Sequence, residues 1–266
     1  MTHDSIRLPL QDKHAIVTGG SRGIGLAIAK RLLAHGARVT LVGRDAASLA
    51  SACDVLDGGT RVTSVTADVR SSESVTAAFD AARHTHGSID ILVNNAGAAA
   101  SERFDRMRAS TWDDMIAVNL TGVFHCTHAA LPDMLTHGWG RVVNVASTAG
   151  LTGYGYVTAY CAAKHGVVGL TRALAQEMAT RGVTVNAVCP GFTDTDIVRE
   201  AVSNIADKTG QSLDAARDGL ARRNPQGRLV QPEEVADTVA WLCAPAANAV
   251  NGQAIAVDGG ETTGAR

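Results

Sequence analysis

Short apolar runs alternate with segments of helical periodicity along most of the chain. The runs contain many Val and Ile residues, which is typical of strands that are buried on both faces of a sheet. Between the runs, apolar residues recur every three or four positions, as on one face of an amphipathic helix. Because strands alternate with helices, we expect right-handed crossovers and a parallel sheet. The predicted strands are 14–18, 39–42, 63–69, 89–93, 141–147, 183–188 and 253–257.

The predicted helices complete an α/β fold of the doubly wound type, with seven parallel strands. The first helix follows the first strand and ends at Gly36, where a left-handed backbone is easiest. The chain has no linker, repeat or low-complexity segment, so we expect a single domain over residues 1–266. The remaining helices are predicted at 71–86 with Ser71 or Ser72 as its cap, at 111–135, at 157–181 and from Pro232 onwards.

The segment 196–230 is polar, charged and helical. Its apolar residues define one face on each of two short helices: Ile197, Val198, Ala201 and Ile205 on the first, and Leu213, Ala216 and Leu220 on the second. Two short amphipathic helices inserted into a larger domain predict a small lid at about 196–230. Closure of such a lid excludes water from a reaction.

The bulk properties exclude several classes of partner. The chain has 266 residues, of which 45% are hydrophobic and 19% charged, and its net charge is −2. Neither sign of charge is concentrated in a tail, so we expect no binding to nucleic acid or membranes. No apolar run approaches the roughly 18 residues of a membrane span, and the N-terminus lacks the apolar core of a signal peptide. We therefore expect a cytoplasmic protein.

The cysteines argue against a disulfide framework and against zinc. They are odd in number and scattered, and no two of them form a Cys-x-x-Cys pair. We expect no metal site. The five residues are Cys53, Cys126, Cys161, Cys189 and Cys243.

A glycine-rich turn joins the first strand to the first helix. Residues 18–25 read Thr-Gly-Gly-Ser-Arg-Gly-Ile-Gly. Glycines let the backbone approach a pyrophosphate, and the N-terminus of a helix supplies free N–H groups and the positive end of its dipole. A strand, a glycine turn and a helix in this order predict a dinucleotide site. The alternative is a tight turn that binds nothing.

The end of the second strand indicates which dinucleotide is bound. Sites for NAD often carry an acidic residue here, which binds the ribose hydroxyls. In this chain Gly43 and Arg44 occupy the position, and Arg22 lies in the glycine turn. Two guanidinium groups suit a 2′-phosphate, so we expect NADP(H) to be preferred over NAD(H). The alternative is that Arg44 is simply solvated.

Tyr160 and Lys164 lie four residues apart in a helical segment. Residues at this spacing share one face of a helix, so both can point into one cleft. A neighbouring ammonium group favours phenolate, so we expect the pKa of Tyr160 to fall from about 10 toward the range of an acid–base catalyst. Of the three tyrosines, at 154, 156 and 160, only the last has a lysine one turn later.

Further motifs follow in a fixed order. Asn-Asn-Ala-Gly at 94–97 follows the fourth strand, Ser147 ends the fifth, and Pro-Gly at 190–191 opens a turn that reaches Thr195. With the glycine turn and the Tyr160 and Lys164 pair, these residues closely resemble the short-chain dehydrogenase/reductase family from about residue 14 to 260. The nearer similarity is to 3-oxoacyl reductases and 3-hydroxyacyl-CoA dehydrogenases, and it is carried by residues 119–124, 146–150 and 164–169.

The resemblance implies a Rossmann fold, a catalytic tetrad and a cofactor site. In the tetrad, Tyr160 exchanges the proton, Ser147 holds the substrate oxygen, and Asn119 holds a water that links Lys164 to solvent. Lys164 also lowers the pKa of Tyr160 and binds the nicotinamide ribose. Asp68 is placed to accept a hydrogen bond from adenine. The implied cofactor-binding residues are Gly19, Ser21, Arg22, Gly23, Ile24, Gly25, Arg44, Asp68, Val69, Asn95, Ala96, Gly97, Tyr160, Lys164, Pro190, Gly191, Thr193 and Thr195.

The implied activity is NADP(H)-dependent hydride transfer between a carbonyl and a secondary alcohol. A 3-oxoacyl or 3-hydroxyacyl thioester of coenzyme A or of an acyl-carrier protein is the expected substrate. Small ketones, sugars, and cyclic or steroid alcohols are the alternatives. A scaffold that binds nucleotide without turnover is the non-enzymatic alternative, but such family members usually lose the tyrosine or the lysine, and both are present here.

Two further expectations concern the surface. Helices 111–135 and 157–181 carry apolar residues on more faces than one sheet can cover, so we expect a homotetramer that pairs these helices between subunits. Arginines crowd the second half of the lid segment, and we expect them to favour an acyl-CoA substrate. A solvated helix face is the alternative. These residues are Arg217, Arg222, Arg223 and Arg228.

Overall fold

One parallel sheet of seven strands forms the centre of the protein in a computed structural model that describes residues 8–263. The ends of the predicted 1–266 domain therefore lie outside the described residues. The strand order is β3-β2-β1-β4-β5-β6-β7, so the order reverses between β1 and β4. The strands are β1 His14–Thr18, β2 Arg38–Gly43, β3 Val62–Thr66, β4 Ile91–Asn94, β5 Gly140–Val145, β6 Val183–Pro190 and β7 Ala254–Val257.

Helices cover both faces of this sheet, which confirms the doubly wound α/β fold. Side chains of a strand alternate between the faces, so Val17 of β1 packs with one helical layer and Ile16 with the other. The helices are α1 Gly23–Ala34, α2 Ala46–Leu56, α3 Ser72–His86, α4 Ala109–Ile116, α5 Gly122–His137, α6 Thr158–Met178, α7 Asp196–Thr209, α8 Leu213–Ala221 and α9 Pro232–Cys243.

The sequence analysis missed α2. The helix begins after Asp45, whose carboxylate accepts a hydrogen bond from the Ser48 backbone N–H at 2.7 Å. Only Leu49 and Ala52 are buried, so the apolar stripe is too short to stand out. The cap was the available signal, because Asp is one of the preferred residues at a helix N-cap. At α3, by contrast, the predicted Ser71 cap is confirmed by a 3.1 Å bond from the Ser74 N–H.

The predicted long helix 111–135 is interrupted by a π-helical turn at Ala117–Thr121, which separates α4 from α5. A π turn inserts one residue into the helical repeat and often marks a functional site. Asn119 lies in this turn and is fully buried.

Helices α7 and α8 pack against each other at the edge of the domain. Val198 and Val202 of α7 meet Leu220 of α8 and Leu229 in a small apolar cluster of their own. The two predicted amphipathic helices of the segment 196–230 are therefore present. Closure of this segment as a lid stays a prediction.

Candidate active site

The glycine turn lies at the carboxyl end of β1, where the strand order reverses. Thr18 Oγ1 accepts hydrogen bonds from the backbone N–H groups of Asn95 and Ala96, each at 3.0 Å. The Asn95 side-chain amide donates to the carbonyl oxygens of Thr18 and Gly19, also at 3.0 Å. A Cβ atom on Gly25 would lie 2.2 Å from the Gly19 carbonyl oxygen, so this approach requires glycine. The side chain of Asn95 thus shapes the turn.

Helix α1 begins at Gly23, and no side chain caps its first turn. Gly23 has a φ of +52°, a left-handed value that favours glycine. Ser21 and Ile24 are partly buried beside it, whereas Arg22 is exposed. The first N–H groups of a helix have no partner within the helix, so this turn offers donors to an anion.

Two of the residues predicted for the adenosine end, Arg22 and Asp68, already have protein partners. Arg22 Nη1 lies 3.6 Å from Asp196 Oδ2, at the first residue of α7. The Asp68 carboxylate accepts hydrogen bonds from Arg70 Nε at 3.0 Å and Arg70 Nη2 at 2.6 Å, which lowers the pKa of Asp68. Arg44 is exposed after β2, close enough to Asp68 to contribute to the same shift. Arg44 is therefore the predicted phosphate ligand with the freest side chain.

Ser147, Tyr160 and Lys164 come together at the carboxyl end of β5. Ser147 follows the strand by two residues, and its Oγ accepts a hydrogen bond from the Ala149 N–H at 3.1 Å. Tyr160 and Lys164 lie on α6, and Ser147 lies close enough to the Tyr160 hydroxyl to lower its pKa. Lys164 is buried, and its Nζ donates to the Val145 carbonyl oxygen at 2.9 Å. The end of β5 and one face of α6 thus converge on a single point.

Burial, rather than charge, dominates the titration of this group. Desolvation raises the pKa of Tyr160, although the hydrogen bond with Ser147 acts in the opposite direction. Desolvation also lowers the pKa of Lys164 from 10.5 to about 8. The expectation that Lys164 lowers the pKa of Tyr160 is therefore wrong for the protein in this state. The physical reason is that the Lys164 ammonium donates to the Val145 carbonyl oxygen. Its Nζ lies 5.6 Å from the centroid of the Tyr160 ring.

Asn119 is held by the backbone of α4 and by the backbone of the segment that follows β4. Its Nδ2 donates to the carbonyl oxygens of Ala98 at 2.9 Å and Met115 at 3.0 Å, and its Oδ1 accepts from the Ala98 N–H at 3.3 Å. A Cβ atom on Gly97 would lie 2.7 Å from Asn119 Oδ1 and 3.7 Å from Lys164 Nζ. Asn119 therefore positions the segment after β4 next to the lysine. The predicted water relay through Asn119 stays a prediction.

The Pro190–Thr195 turn forms the opposite wall of the cleft. Thr193 Oγ1 donates to the Gly191 carbonyl oxygen at 3.0 Å, and Thr195 Oγ1 donates to the Thr193 carbonyl oxygen at 3.3 Å. A Cβ atom on Gly23 would lie 3.2 Å from Thr195 Cγ2, so this turn approaches the glycine turn. Val69 is held against α5. A Cβ atom on Gly122 would lie 2.8 Å from Val69 Cγ2, and His125 Nδ1 lies 3.0 Å from the Val69 carbonyl oxygen. These residues enclose the predicted position of a dinucleotide.

The sequence did not predict that Tyr154, Thr148 and Glu261 form a polar cluster next to Ser147, with Arg223 beside them. The Tyr154 hydroxyl lies 2.9 Å from Thr148 Oγ1 and 2.9 Å from Glu261 Oε1. Arg223 lies over the Tyr154 ring, with its guanidinium carbon 5.4 Å from the centroid. No motif marks these residues, and Glu261 is far away along the chain. The only available signal was the aromatic cluster 154–160 in the sequence.

The chain's own groups fit a dinucleotide. The first turn of α1 lacks a side-chain cap, and Thr195 approaches Gly23 at the start of the helix. Lys164 has three N–H donors, of which the Val145 carbonyl takes one, so two remain for ribose hydroxyls. Among residues 8–263, no group of three His, Cys, Asp or Glu side chains has the arrangement of a metal site. Within the same range, no helix has the length and apolar character needed to span a bilayer.

Comparison with known proteins identifies this arrangement. The family model for short chain dehydrogenases matches residues 13–206, which include the glycine turn, Ser147, Tyr160 and Lys164. The chain belongs to the short-chain dehydrogenase family. It is an oxidoreductase with the Rossmann-like fold that the resemblance implied.

Relatives with known names match the short-chain dehydrogenase along nearly its whole length. It is 43% identical to a putative ketoacyl reductase of Streptomyces coelicolor over 249 residues, which cover 92% of this chain and 95% of the relative. It is 41% identical to a D-beta-hydroxybutyrate dehydrogenase of Cupriavidus necator, over 94% of this chain and 98% of the relative. A solved variant of actinorhodin polyketide ketoreductase with NADPH superposes with a TM-score of 0.92 and 41% identity, over 95% of this chain and 98% of that one.

The geometry suits proton transfer coupled to hydride transfer. Because its pKa is raised, Tyr160 carries its proton at neutral pH and can donate it to an oxygen held by Ser147. Lys164 carries a charge below about pH 8. The arrangement is therefore matched to a substrate oxygen that gains a proton.

Proposed function

We propose that this short-chain dehydrogenase reduces the 3-oxo group of an acyl thioester with NADPH, and catalyses the reverse oxidation when the cofactor ratio favours it. The observation that carries the proposal is the cluster of Ser147, Tyr160 and Lys164 at the carboxyl end of β5. Ser147 is close enough to influence the pKa of Tyr160, and Lys164 is buried. The tetrad roles of these residues and of Asn119 are part of the proposal.

In the reduction, Ser147 and Tyr160 both hydrogen-bond the substrate carbonyl oxygen. Tyr160 then donates its proton to that oxygen, and Lys164 binds the hydroxyls of the nicotinamide ribose. The reduced nicotinamide supplies the hydride to the carbonyl carbon. The predicted roles of the Pro190–Thr195 turn are to orient the ring and to exclude water. Most of the catalytic advantage expected here is orientation and electrostatics.

Arg22 and Arg44 support NADP(H) over NAD(H). Arg44 is exposed at the end of β2, where an acidic residue would select ribose hydroxyls. Arg22 has an exposed salt bridge to Asp196, which is weak enough for a phosphate to replace. The similar polyketide ketoreductase was solved with NADPH, which agrees with this choice.

The acyl thioester is supported by the relatives together with the lining of the cleft. The Streptomyces coelicolor relative is named as a ketoacyl reductase, and the residues at 98–100 and 149–151 are small or apolar. The second candidate is a 3-hydroxy acid in its free form, because the Cupriavidus necator relative is named for D-beta-hydroxybutyrate. The carboxylate of Glu261 beside the cleft favours the uncharged thioester over the free acid.

The assembly and location expected from the sequence are part of the same proposal. Phe124 on α5 is 52% exposed, and Trp112 on α4 is 38% exposed. These aromatic groups support a homotetramer in which α4, α5 and α6 meet between subunits. An acyl-carrier protein or coenzyme A would then deliver the substrate in the cytoplasm.

A kinetic panel tests the proposed function. We expect NADPH oxidation with acetoacetyl-CoA and with the N-acetylcysteamine thioester of acetoacetate, and weaker activity with acetoacetate and with simple ketones. Each substrate is measured with NADPH and with NADH. A wild type that uses acetoacetate better than both thioesters would favour the second candidate.

A further inference from the structure

A cavity of about 370 Å³ lies next to the segment that follows Ser147. It is lined by Thr152, Gly153, Tyr154, Arg223 and Glu261. Its walls come from three parts of the chain, namely the loop after β5, the end of the lid segment and the turn after β7. The acid–base chemistry uses none of these five residues.

Glu261 connects this cavity to the reacting centre. The Tyr154 hydroxyl is 2.9 Å from Glu261 Oε1 and 2.9 Å from Thr148 Oγ1. A phenol has one hydrogen, so Tyr154 donates to the carboxylate and accepts from Thr148, the residue after Ser147. A Cβ atom on Gly191 would lie 3.4 Å from Glu261 Oε2. The carboxylate thus borders both the serine segment and the turn that begins at Pro190.

The backbone around Glu261 is fixed by a buried carboxylate. Asp258 is 5% exposed and accepts hydrogen bonds from the Gly260 N–H at 2.9 Å and from the Thr262 N–H at 2.8 Å. The Thr262 hydroxyl donates to the same carboxylate at 2.7 Å. These bonds close a tight turn that holds Glu261 in place between them. The acidic wall of the cavity is therefore preorganised.

Arg223 supplies the opposite charge. Its guanidinium carbon lies 5.4 Å from the Tyr154 ring centroid and 5.7 Å from that of Phe192, and the two rings pack edge to face at 6.1 Å. The aromatic rings bind the cation while its N–H donors stay available to a ligand. Arg223 therefore lines the cavity with its N–H donors while its guanidinium group packs on the rings of Tyr154 and Phe192.

The other lid arginines that contact carboxylates serve the fold. Arg217 binds Asp194 at 2.8 Å, and Arg228 binds Glu234 at 2.6 Å. Of the four arginines that the sequence predicts to favour an acyl-CoA substrate, two therefore already bind carboxylates of the protein, and Arg222 and Arg223 are the two that remain. Arg222 ends α8 and is exposed, which makes it a matched neighbour for comparison with Arg223.

We propose that this cavity is a specificity site for a polar group of the substrate that carries a hydrogen-bond acceptor beside a donor. Arg223 donates to the acceptor, and Glu261 accepts from the donor. The inference deepens the proposed function and rests on it. An amide of the pantetheine arm has this chemistry, and so does a hydroxyl or enol group on an oxygenated acyl chain. A plain hydrocarbon chain would desolvate both charged groups without replacing their hydrogen bonds.

Three thioesters separate the two sources of the polar group. S-ethyl 3-oxobutanethioate has neither a pantetheine amide nor a hydroxyl on its acyl chain. The pantetheine thioester of 3-oxobutanoate adds the amides, and S-ethyl 5-hydroxy-3-oxohexanethioate adds the hydroxyl. The measured quantity is the ratio of kcat/KM for each polar substrate to kcat/KM for the plain one. In Arg223→Met and in Glu261→Met we expect one of these ratios to fall roughly tenfold, the size of one lost hydrogen bond to a specific site. The substrate whose ratio falls identifies the source.

Arg222→Met is the control and is expected to keep both ratios at their wild-type values. An NADPH fluorescence titration of each variant reports that the cofactor site is folded. Unchanged ratios in Arg223→Met and Glu261→Met would overturn the inference, as would an equal fall in Arg222→Met. A wild type that reduces none of the three thioesters, but still binds NADPH, would instead refute the proposed function on which the inference rests.

Discussion

Replacement of Lys164 by Met gives a test of the buried charge that does not depend on substrate. Lys164 is 4% exposed, and its side chain has one hydrogen bond, to the Val145 carbonyl oxygen. Methionine fills a similar volume and carries no charge. We expect the variant to lose activity. We also expect the free energy of unfolding to depend on pH differently in the variant and in the wild type.

The sign and size follow from the pKa of Lys164, which falls from 10.5 to about 8 on folding. Between these values the unfolded chain binds more protons than the folded one, so the wild type gains stability as pH rises through this window. Each pKa unit corresponds to about 1.4 kcal/mol, so the full window represents ~3 kcal/mol. Between pH 7 and pH 9.5 we expect the wild type to gain about 2 kcal/mol relative to Lys164→Met.

Urea unfolding of the cofactor-free protein at both pH values measures this difference at a fixed protein concentration. Contributions that do not titrate, such as the altered packing around the methionine, cancel in the comparison between the two pH values. Lys30→Met, on the exposed side of α1, is the control and should track the wild type. If the difference between wild type and Lys164→Met is the same at pH 7 and pH 9.5, the buried charge does not carry the free energy assigned to it.

The remaining predictions concern catalysis, cofactor choice and assembly. Tyr160→Phe should lose at least about a hundredfold in turnover with nearly unchanged NADPH affinity, and an inactive Tyr156→Phe beside an active Tyr160→Phe would refute this choice of tyrosine. The kcat/KM for reduction should fall as pH rises through about 8, because Lys164 loses its charge there, and a flat profile to pH 9.5 would contradict this. Arg44→Asp should shift the ratio of kcat/KM from NADPH toward NADH, a claim that loses its basis if the wild type already favours NADH. Light scattering should give a tetramer that Phe124→Glu dissociates, and a monomeric wild type at micromolar concentration would exclude it.

The strands could be predicted because each is a local apolar run with clear ends. His14–Thr18 is fully buried, and its run leads directly into the glycine turn. Where the prediction extended too far, hydrogen bonding was the reason. The strand predicted at 63–69 ends at Thr66 because its partner β2 ends at Gly43. The Ala67 N–H makes the last hydrogen bond of the pair, to the Gly43 carbonyl oxygen, and the chain then turns through Asp68. Such limits are set by partners that are distant in sequence.

In the candidate site too, local features could be predicted from the sequence, whereas features that depend on distant contacts could not. Tyr160 and Lys164 were identifiable because their spacing is local and their chemistry is distinctive. Their pKa values were not, because desolvation depends on the whole fold and outweighed the expected charge effect. Glu261 reaches Tyr154 from 107 positions away along the chain, and only the folded sheet brings them together. The insertion at Asn119 likewise depends on its contacts with Ala98 and Met115.

The transfer of deuterium tests the proposed function most directly. The enzyme is incubated with acetoacetyl-CoA and NADPH that carries deuterium at the transferable position of nicotinamide C4, and the product is analysed by mass spectrometry. We predict a 3-hydroxybutyryl thioester with one deuterium at C3, formed by the wild type and lost at least about a hundredfold in rate in Tyr160→Phe. A product without deuterium at C3, or equal labelling rates for the wild type and Tyr160→Phe, would contradict hydride transfer with Tyr160 as the proton donor.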